Sequence, residues 1–282
     1  MRRLENLTPG EMHVDLYGSE TRRFKVLRIG SAMSLSRLLP ILQRMGVEVL
    51  DEYPYEIRRA DGQEAWVLDF GLALPVGDVV GDSTLSERFE DAFRAAWNGE
   101  CEVDEFNALI VRAGLTWKQA ALMRAYSRYM RQMGTTFGQD YIEQVVCANA
   151  PITVLLVKLF EIQFGEGVVE REVNADALVF EIESRLDAVV SLDHDRILRA
   201  FLGLIRATLR TSYFCLSEIV AHWPSNSTRP RFPICPYLDR SSRSGSTRRE
   251  SRACTCASAS WLAVVCAGVI AARTSAPRSS AW

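Results

Sequence analysis

Two residue vocabularies divide this chain, and the division limits how much of it can build an ordinary core. Residues 1–214 carry helical and strand periodicity with mixed charge. After Tyr213-Phe214 the last 68 residues hold no Lys, three acids (Glu218, Asp239, Glu250), nine Arg and five of the seven Cys. Ser and Ala fill much of the rest. Removing that stretch from the totals of 33 basic and 35 acidic residues leaves 24 basic and 32 acidic in residues 1–214. The body is acidic and the tail basic. An acidic body argues against a nucleic-acid surface, and the tail lacks the Lys and interleaved aromatics of a stacking platform.

Arg2-Arg3 is followed by Leu4-Glu5-Asn6 rather than an apolar run, so no signal peptide is expected. Only Cys101 and Cys147 fall in the body. That usage suits a reducing cytoplasm and not a disulfide framework.

The first part of the body reads as α+β. Phe24 to Ile29 is a strand by its β-branched and aromatic content, broken by Gly30. Ser34 is an N-cap for an amphipathic helix through Leu35, Leu38, Leu39, Leu42 and Met45, stopped by Gly46. Pro40 within it predicts a kink or a later start. Val47 to Leu50 alternates and runs on to Ile57. Asp61-Gly62 suits a turn, and Ala65 to Phe70 forms a third strand. This β-α-β-β order is the front of a ferredoxin-like unit and also occurs in ACT-type regulatory domains. Such a unit serves either as an amino-acid effector site or as a scaffold and oligomer contact, and fold alone does not choose.

The middle reads as helical. Ser83 or Ser86 starts a helix through Phe89, Phe93 and Trp97, ended by Asn98-Gly99. Phe106, Leu109 and Ile110 make a short face up to Gly114. Thr116 caps a helix to Met133, Thr135 or Thr136 precedes one through Val146, and Pro151 opens Ile152 to Phe164. Ala175 to Val190 and Asp193 to Leu209 complete the set. Tyr126, Tyr129, Met130 and Met133 form a stripe read as core. Arg124, Arg128 and Arg131 read as a solvated face rather than an anion site. His194, between Asp193 and Asp195, reads as the acid-rich start of a helix rather than a metal ligand. No phosphate-cradling loop, paired Cys ligands or nucleophile–base signature stands in residues 1–214. No catalytic, cofactor-binding or metal residue is assigned there.

Several runs in this body resemble one family. Leu122-Met-Arg-Ala-Tyr-Ser-Arg-Tyr-Met-Arg-Gln-Met-Gly-Thr-Thr-Phe137, Gln139-Asp-Tyr-Ile-Glu143, Leu155-Leu-Val-Lys-Leu-Phe-Glu161 and Asp195-Arg-Ile-Leu-Arg199 through Ile205 to Phe214 are similar to the large bacterial NAD-specific glutamate dehydrogenases. Arg44-Met-Gly-Val-Glu-Val and Trp66-Val-Leu-Asp-Phe fit the same family, in a segment built like an ACT domain. The resemblance spans about residues 20–214. It implies oxidative deamination of glutamate to 2-oxoglutarate with NAD in the parent enzyme, and homo-oligomer contacts there. It also implies that this region precedes the catalytic domain, so the chain itself binds no cofactor.

The tail connects to the same family through its codons. Read one base out of frame, Trp261 to Ile270 permits VARGGLRWSD, which resembles the start of that family's catalytic domain, and Arg231 to Pro236 permits VPDLP. The expectation is a frame slip near Phe214 and an inactive fragment. The competing readings of the tail are a membrane anchor over Ala253 to Ala272, a metal site at Cys254, Cys256 and Cys266, and a poorly ordered Ser/Arg segment. The expected organisation is a lead-in (1–19), an ACT-like domain (20–80), a helical domain (81–214) and an out-of-frame, disordered tail (215–282). A stand-alone amino-acid-sensing or oligomerisation module is the alternative, and a membrane-anchored helical protein a further one. No nucleic-acid or membrane partner is expected.

Overall fold

The computed structural model describes residues 5, 7–18, 22–75, 84–165, 170–209, 211 and 213–214. The readings placed on residues 215–282 lie outside the described residues, as does Ser83. One compact unit runs to Thr208 and a second begins at Leu209. In the second, the Thr211 hydroxyl accepts from the Tyr213 amide at 3.1 Å.

Four strands open the fold: β1 (Met12–Tyr17), β2 (Arg22–Ile29), β3 (Glu48–Arg58) and β4 (Glu64–Ala73). Helix α1 (Leu35–Arg44) crosses from β2 to β3. The sheet order is β1-β2-β4-β3, and each neighbouring pair is antiparallel. β2, α1, β3 and β4 are the expected β-α-β-β unit. The edge beside β2, which the last strand of a ferredoxin-like domain would fill, is taken by β1 from the N-terminal side. The arrangement is a circular permutation of the ferredoxin-like layout. Strand β1 was read as part of a lead-in, although Val14 and Leu16 alternate with His13, Asp15 and Tyr17 as a half-buried strand should.

Period-two alternation divides the sheet into two faces. Val14, Leu16, Phe24, Val26, Leu68, Phe70 and Leu72 point under α1 and α2 (Leu85–Asn98), where they form one core with Leu38, Leu42, Phe89 and Phe93. Phe24 meets Phe89 and Phe93 edge-on, with centroids 5.3 and 4.8 Å apart. On the opposite face Leu27, Ile29, Ala65 and Val67 gather under Leu7 and Ile57. Arg59 holds that lead-in by donating to the Leu7 carbonyl at 2.9 Å and the Glu5 carbonyl at 3.1 Å. Among the described residues, α1 and α2 pack on the first face and neither reaches this one.

Local signals set most boundaries. Ser34 is the N-cap residue of α1, which runs through Pro40. Gly62 takes φ +82° in the β3–β4 turn, where its amide bonds the Arg59 carbonyl at 3.0 Å. Gly99 caps α2 at φ +72°. Gly46 serves twice. Its φ is +80°, and a Cβ there would lie 2.9 Å from Cβ of Ala108. Only a glycine lets α1 end against the helical segment.

That segment begins with a 3₁₀ turn (Glu105–Ala108) and α3 (Leu109–Ala113). It continues through α4 (Trp117–Gln132), α5 (Gln139–Ala148), α6 (Ala150–Phe164), α7 (Arg171–Leu186) and α8 (Leu192–Ala207). Thr116 and Gln119 form a reciprocal capping box on α4. Gly138 is the N-cap of α5, which Thr135 and Thr136 precede as expected. Pro151 sits in the first turn of α6, and the chain bends by 96° between α5 and α6. Helix α6 is the central one: Ile152, Leu155, Leu156, Val157, Leu159 and Phe160 are all buried. Among the described residues, no single helix is long and apolar enough to cross a membrane.

Candidate functional site

Three clusters of polar side chains stand out against this core. The first occupies the uncovered sheet face. Neighbouring strands bring Tyr17, Arg23, Asp51, Tyr53 and Asp69 into one patch, because Tyr17 pairs with Arg23, and Asp69 with Lys25 and Tyr53, across the ladders. The Asp69 carboxylate, on a residue only 8% exposed, accepts from the Tyr17 hydroxyl at 2.8 and 3.0 Å and from Arg23 Nε at 3.0 Å. Lys25 Nζ lies 3.6 Å away and 4.4 Å from the Tyr17 ring centroid. Arg23 Nη2 reaches Asp51 at 3.0 Å, and its guanidinium sits over Tyr53. Gly71 makes the room: a Cβ there would meet the Asp51 carboxylate at 2.8–2.9 Å. Burial works to lower the Arg23 pKa, but bonds from Asp69 and Asp51 prevail and hold it above its usual value.

The second cluster lies inside the helical segment and corrects the reading of the arginines. Arg124 is not on a solvated face; it is 2% exposed. Asp104, the N-cap of the 3₁₀ turn, takes both its Nε and its Nη2, the latter at 2.7 Å. Nη2 also donates to Asn107 Oδ1 at 2.8 Å. Burial acts to lower the Arg124 pKa, and Asp104 more than reverses it. Arg128 pairs with Glu102 at a half-exposed position, and Arg131 alone is fully on the surface. Nearby, Glu143 is buried and accepts from the Glu105 amide at 3.1 Å and Gln139 Nε2 at 2.9 Å. Desolvation raises its pKa against those bonds.

The third cluster lines an open groove of about 550 Å³ between the α5–α6 bend and the α7–α8 turn. Asn149, Ile152, Arg185, Val189, Ser191 and His194 form its walls. His194 behaves as the start of a capped helix. The Ser191 hydroxyl accepts from its amide at 3.5 Å, with Asp193 and Asp195 in the first turn. Its ring packs edge-on to Tyr141, with Nδ1 3.3 Å from Asn149 Nδ2.

Chemically, none of the three assembles a nucleophile with a base. Burial pushes the Cys101 thiol up to about 11 and the Cys147 thiol up to about 12, so both are protonated and unreactive near neutral pH. Among the described residues, no three His, Cys, Asp or Glu side chains converge as a metal site. The core stripe holds for Tyr126 and Met130, which are buried, whereas Tyr129 is half-buried and Met133 exposed. The Tyr126 hydroxyl, shared with Thr208 Oγ1 at 2.8 Å, is pushed up to about 12 by burial.

Fold and clusters together define a class: a permuted ACT-type sheet unit carried on a helical support. Comparison with known proteins agrees element by element. Residues 11–85 match the family described as "Glutamate dehydrogenase, ACT3 domain", and residues 101–165 match "Glutamate dehydrogenase, helical motif 3". Residues 181–228 match "Bacterial NAD-glutamate dehydrogenase, catalytic domain". The NAD-specific glutamate dehydrogenase of Mycobacterium tuberculosis is 44% identical over 193 residues, 66% of this chain and 12% of that protein. Those of Pseudomonas aeruginosa and Halomonas elongata are 37% identical over 70% and 69% of this chain, again 12% of theirs. The chain belongs to the bacterial NAD-specific glutamate dehydrogenase family and spans about an eighth of the length of these relatives. The ACT match starts at the missed strand β1. The catalytic-domain match starts inside α7 and runs 14 residues past Phe214.

Proposed function

We propose that this chain is the regulatory and scaffolding segment of an NAD-dependent glutamate dehydrogenase. In that enzyme glutamate is oxidatively deaminated to 2-oxoglutarate in the cytoplasm, with NAD as hydride acceptor. The observation that carries the reading is the collinear order of ACT, helical-motif and catalytic-domain matches. On this reading the chain alone binds no NAD and turns over no glutamate, because no cleft among the described residues sets nicotinamide against the substrate Cα hydrogen. Incubating the purified chain with glutamate and NAD and following NADH absorbance tests it. A flat trace is expected, and steady NADH formation would refute the reading.

The sheet-face cluster favours one addition. It places Arg23 and Lys25 beside Asp51 and Asp69, which is the charge complement of an amino-acid zwitterion. Titration calorimetry with free amino acids checks effector binding. Heat absent both in wild type and in Arg23→Ala leaves oligomer contact as the unit's role. The frame slip is part of the same proposal. Resequencing the DNA across codons 211–228 tests it, and an unbroken family frame there would remove it.

A further inference from the structure

Helix α7 is covered along one stripe only. Of its 16 residues, Ile182 and Leu186 alone are buried. Val173, Ala177, Phe180 and Ser184 recur at i, i+4, i+7 and i+11, which at about 100° per residue makes one continuous face. All four are exposed, Phe180 at 75% and Val173 at 65%. Single exposed apolar side chains need no explanation, but an aligned set on one helix face marks an interaction surface.

The rim of the stripe is acidic along one flank and charge-balanced along the other. The same helical spacing puts Glu172, Asp176 and Glu183 along one flank and Glu181 along the other. Glu181 pairs with Arg185, and Glu183 is 3.9 Å from Arg206. Glu172 and Asp176 hold no ion pair among the described residues. A second copy laid antiparallel on this stripe would set Glu172, Asp176 and Glu183 against the same acids, which disfavours that pairing. The helix is also where the family's catalytic-domain match begins, at residue 181.

We propose that the Val173–Phe180 face docks an amphipathic helix of the dehydrogenase's catalytic body. Apolar anchors on that helix repeat every three or four residues, and Lys or Arg lines its flanks. The inference rests on the scaffold reading above. Its chemistry is that of a helix laid in a groove, with apolar anchors giving affinity and rim charge giving orientation.

The test uses the full chain and two synthetic 16-residue helical peptides of identical Leu spacing, one flanked by Lys and one by Glu. Fluorescence anisotropy should show micromolar binding of the Lys peptide. Phe180→Asp should weaken it at least tenfold, and high salt should weaken it as well. Because Phe180 is exposed, this variant should melt like wild type. In a full-length relative, a photo-crosslinker at the position matching Phe180 should capture a Lys- or Arg-flanked helix of the catalytic domain. Equal binding of both peptides, indifference to Phe180→Asp, or a crosslink to the same helix of another subunit would each overturn the proposal. Glutamate turnover by the isolated chain would break the scaffold reading while leaving the peptide result intact.

Discussion

The sheet unit and the helical segment each join an arginine to an aspartate, in surroundings that differ in one respect. Arg23 and Asp69 meet on an uncovered sheet face, with Arg23 flanked by Asp51 and Tyr53 and still reached by water. Arg124 and Asp104 meet where α4 crosses the 3₁₀ turn, with the guanidinium buried and the carboxylate still partly reached by water. Screening and side-chain freedom reduce the value of the first pair. In the second the guanidinium is the buried member, so losing Asp104 would strand its charge in the interior. The same chemistry is decoration in one place and a structural requirement in the other.

Breaking the interior pair should have the largest effect. Arg124→Ala is expected to cost about 3–5 kcal/mol, because it leaves Asp104 and Asn107 facing an empty volume. Urea titration of the full chain checks this, and a loss below about 1 kcal/mol would put the two pairs on an equal footing. Gly46→Ala sits at the joint between the regions. It combines a left-handed φ with a 2.9 Å approach to Ala108, and about 1–3 kcal/mol should be lost. Hydrogen exchange should show the loss spread through α1 and α3. Arg23→Ala should cost less than about 1 kcal/mol, and its deficit should shrink further in high salt. An undiminished deficit would mean that the sheet face is dry in solution, covered by a partner.

The smallest effect concerns pH. The folded-state pKa of Glu143 is raised by burial, so the folded protein holds that proton when the unfolded chain has released it. Stability from this group is present below the ordinary glutamate value of about 4.3 and declines as pH rises through the folded value. Glu143→Gln should flatten that decline. Thermal melts of both proteins at several pH values upward from 4.3 give the comparison, and parallel slopes would show that the carboxylate is not desolvated in solution.

Much of this architecture was legible because its signals are local. The Thr116 capping box, the turn at Asp61-Gly62, the stops at Gly99 and Gly114 and the first-turn Pro151 each act within a few residues. What escaped depends on distant neighbours. Arg124 reads as a surface residue on α4, since its partners Glu102, Asp104 and Asn107 lie on an earlier loop that periodicity does not connect to it. Strand β1 is short, and only its pairing with β2 separates it from a lead-in. Phe180 stands in water on a helix that buries only Ile182 and Leu186. The three polar clusters arise from cross-strand and interhelical placement that motifs do not encode.

The permuted strand order has a consequence for how the protein is made. Because β1 precedes β2, the sheet's outer edge closes by a hairpin rather than by a strand arriving after α2. Its longest-range ladder contact is Arg22 with Leu72. Low sequence separation shortens the conformational search, and chains begin to fold from the N-terminus as they leave the ribosome. All four described strands have therefore been synthesised by Ala73, before any residue of the helical support. Nascent-chain arrest at successive lengths would show the sheet acquiring protection at that point, ahead of anything the ribosome reads beyond Phe214.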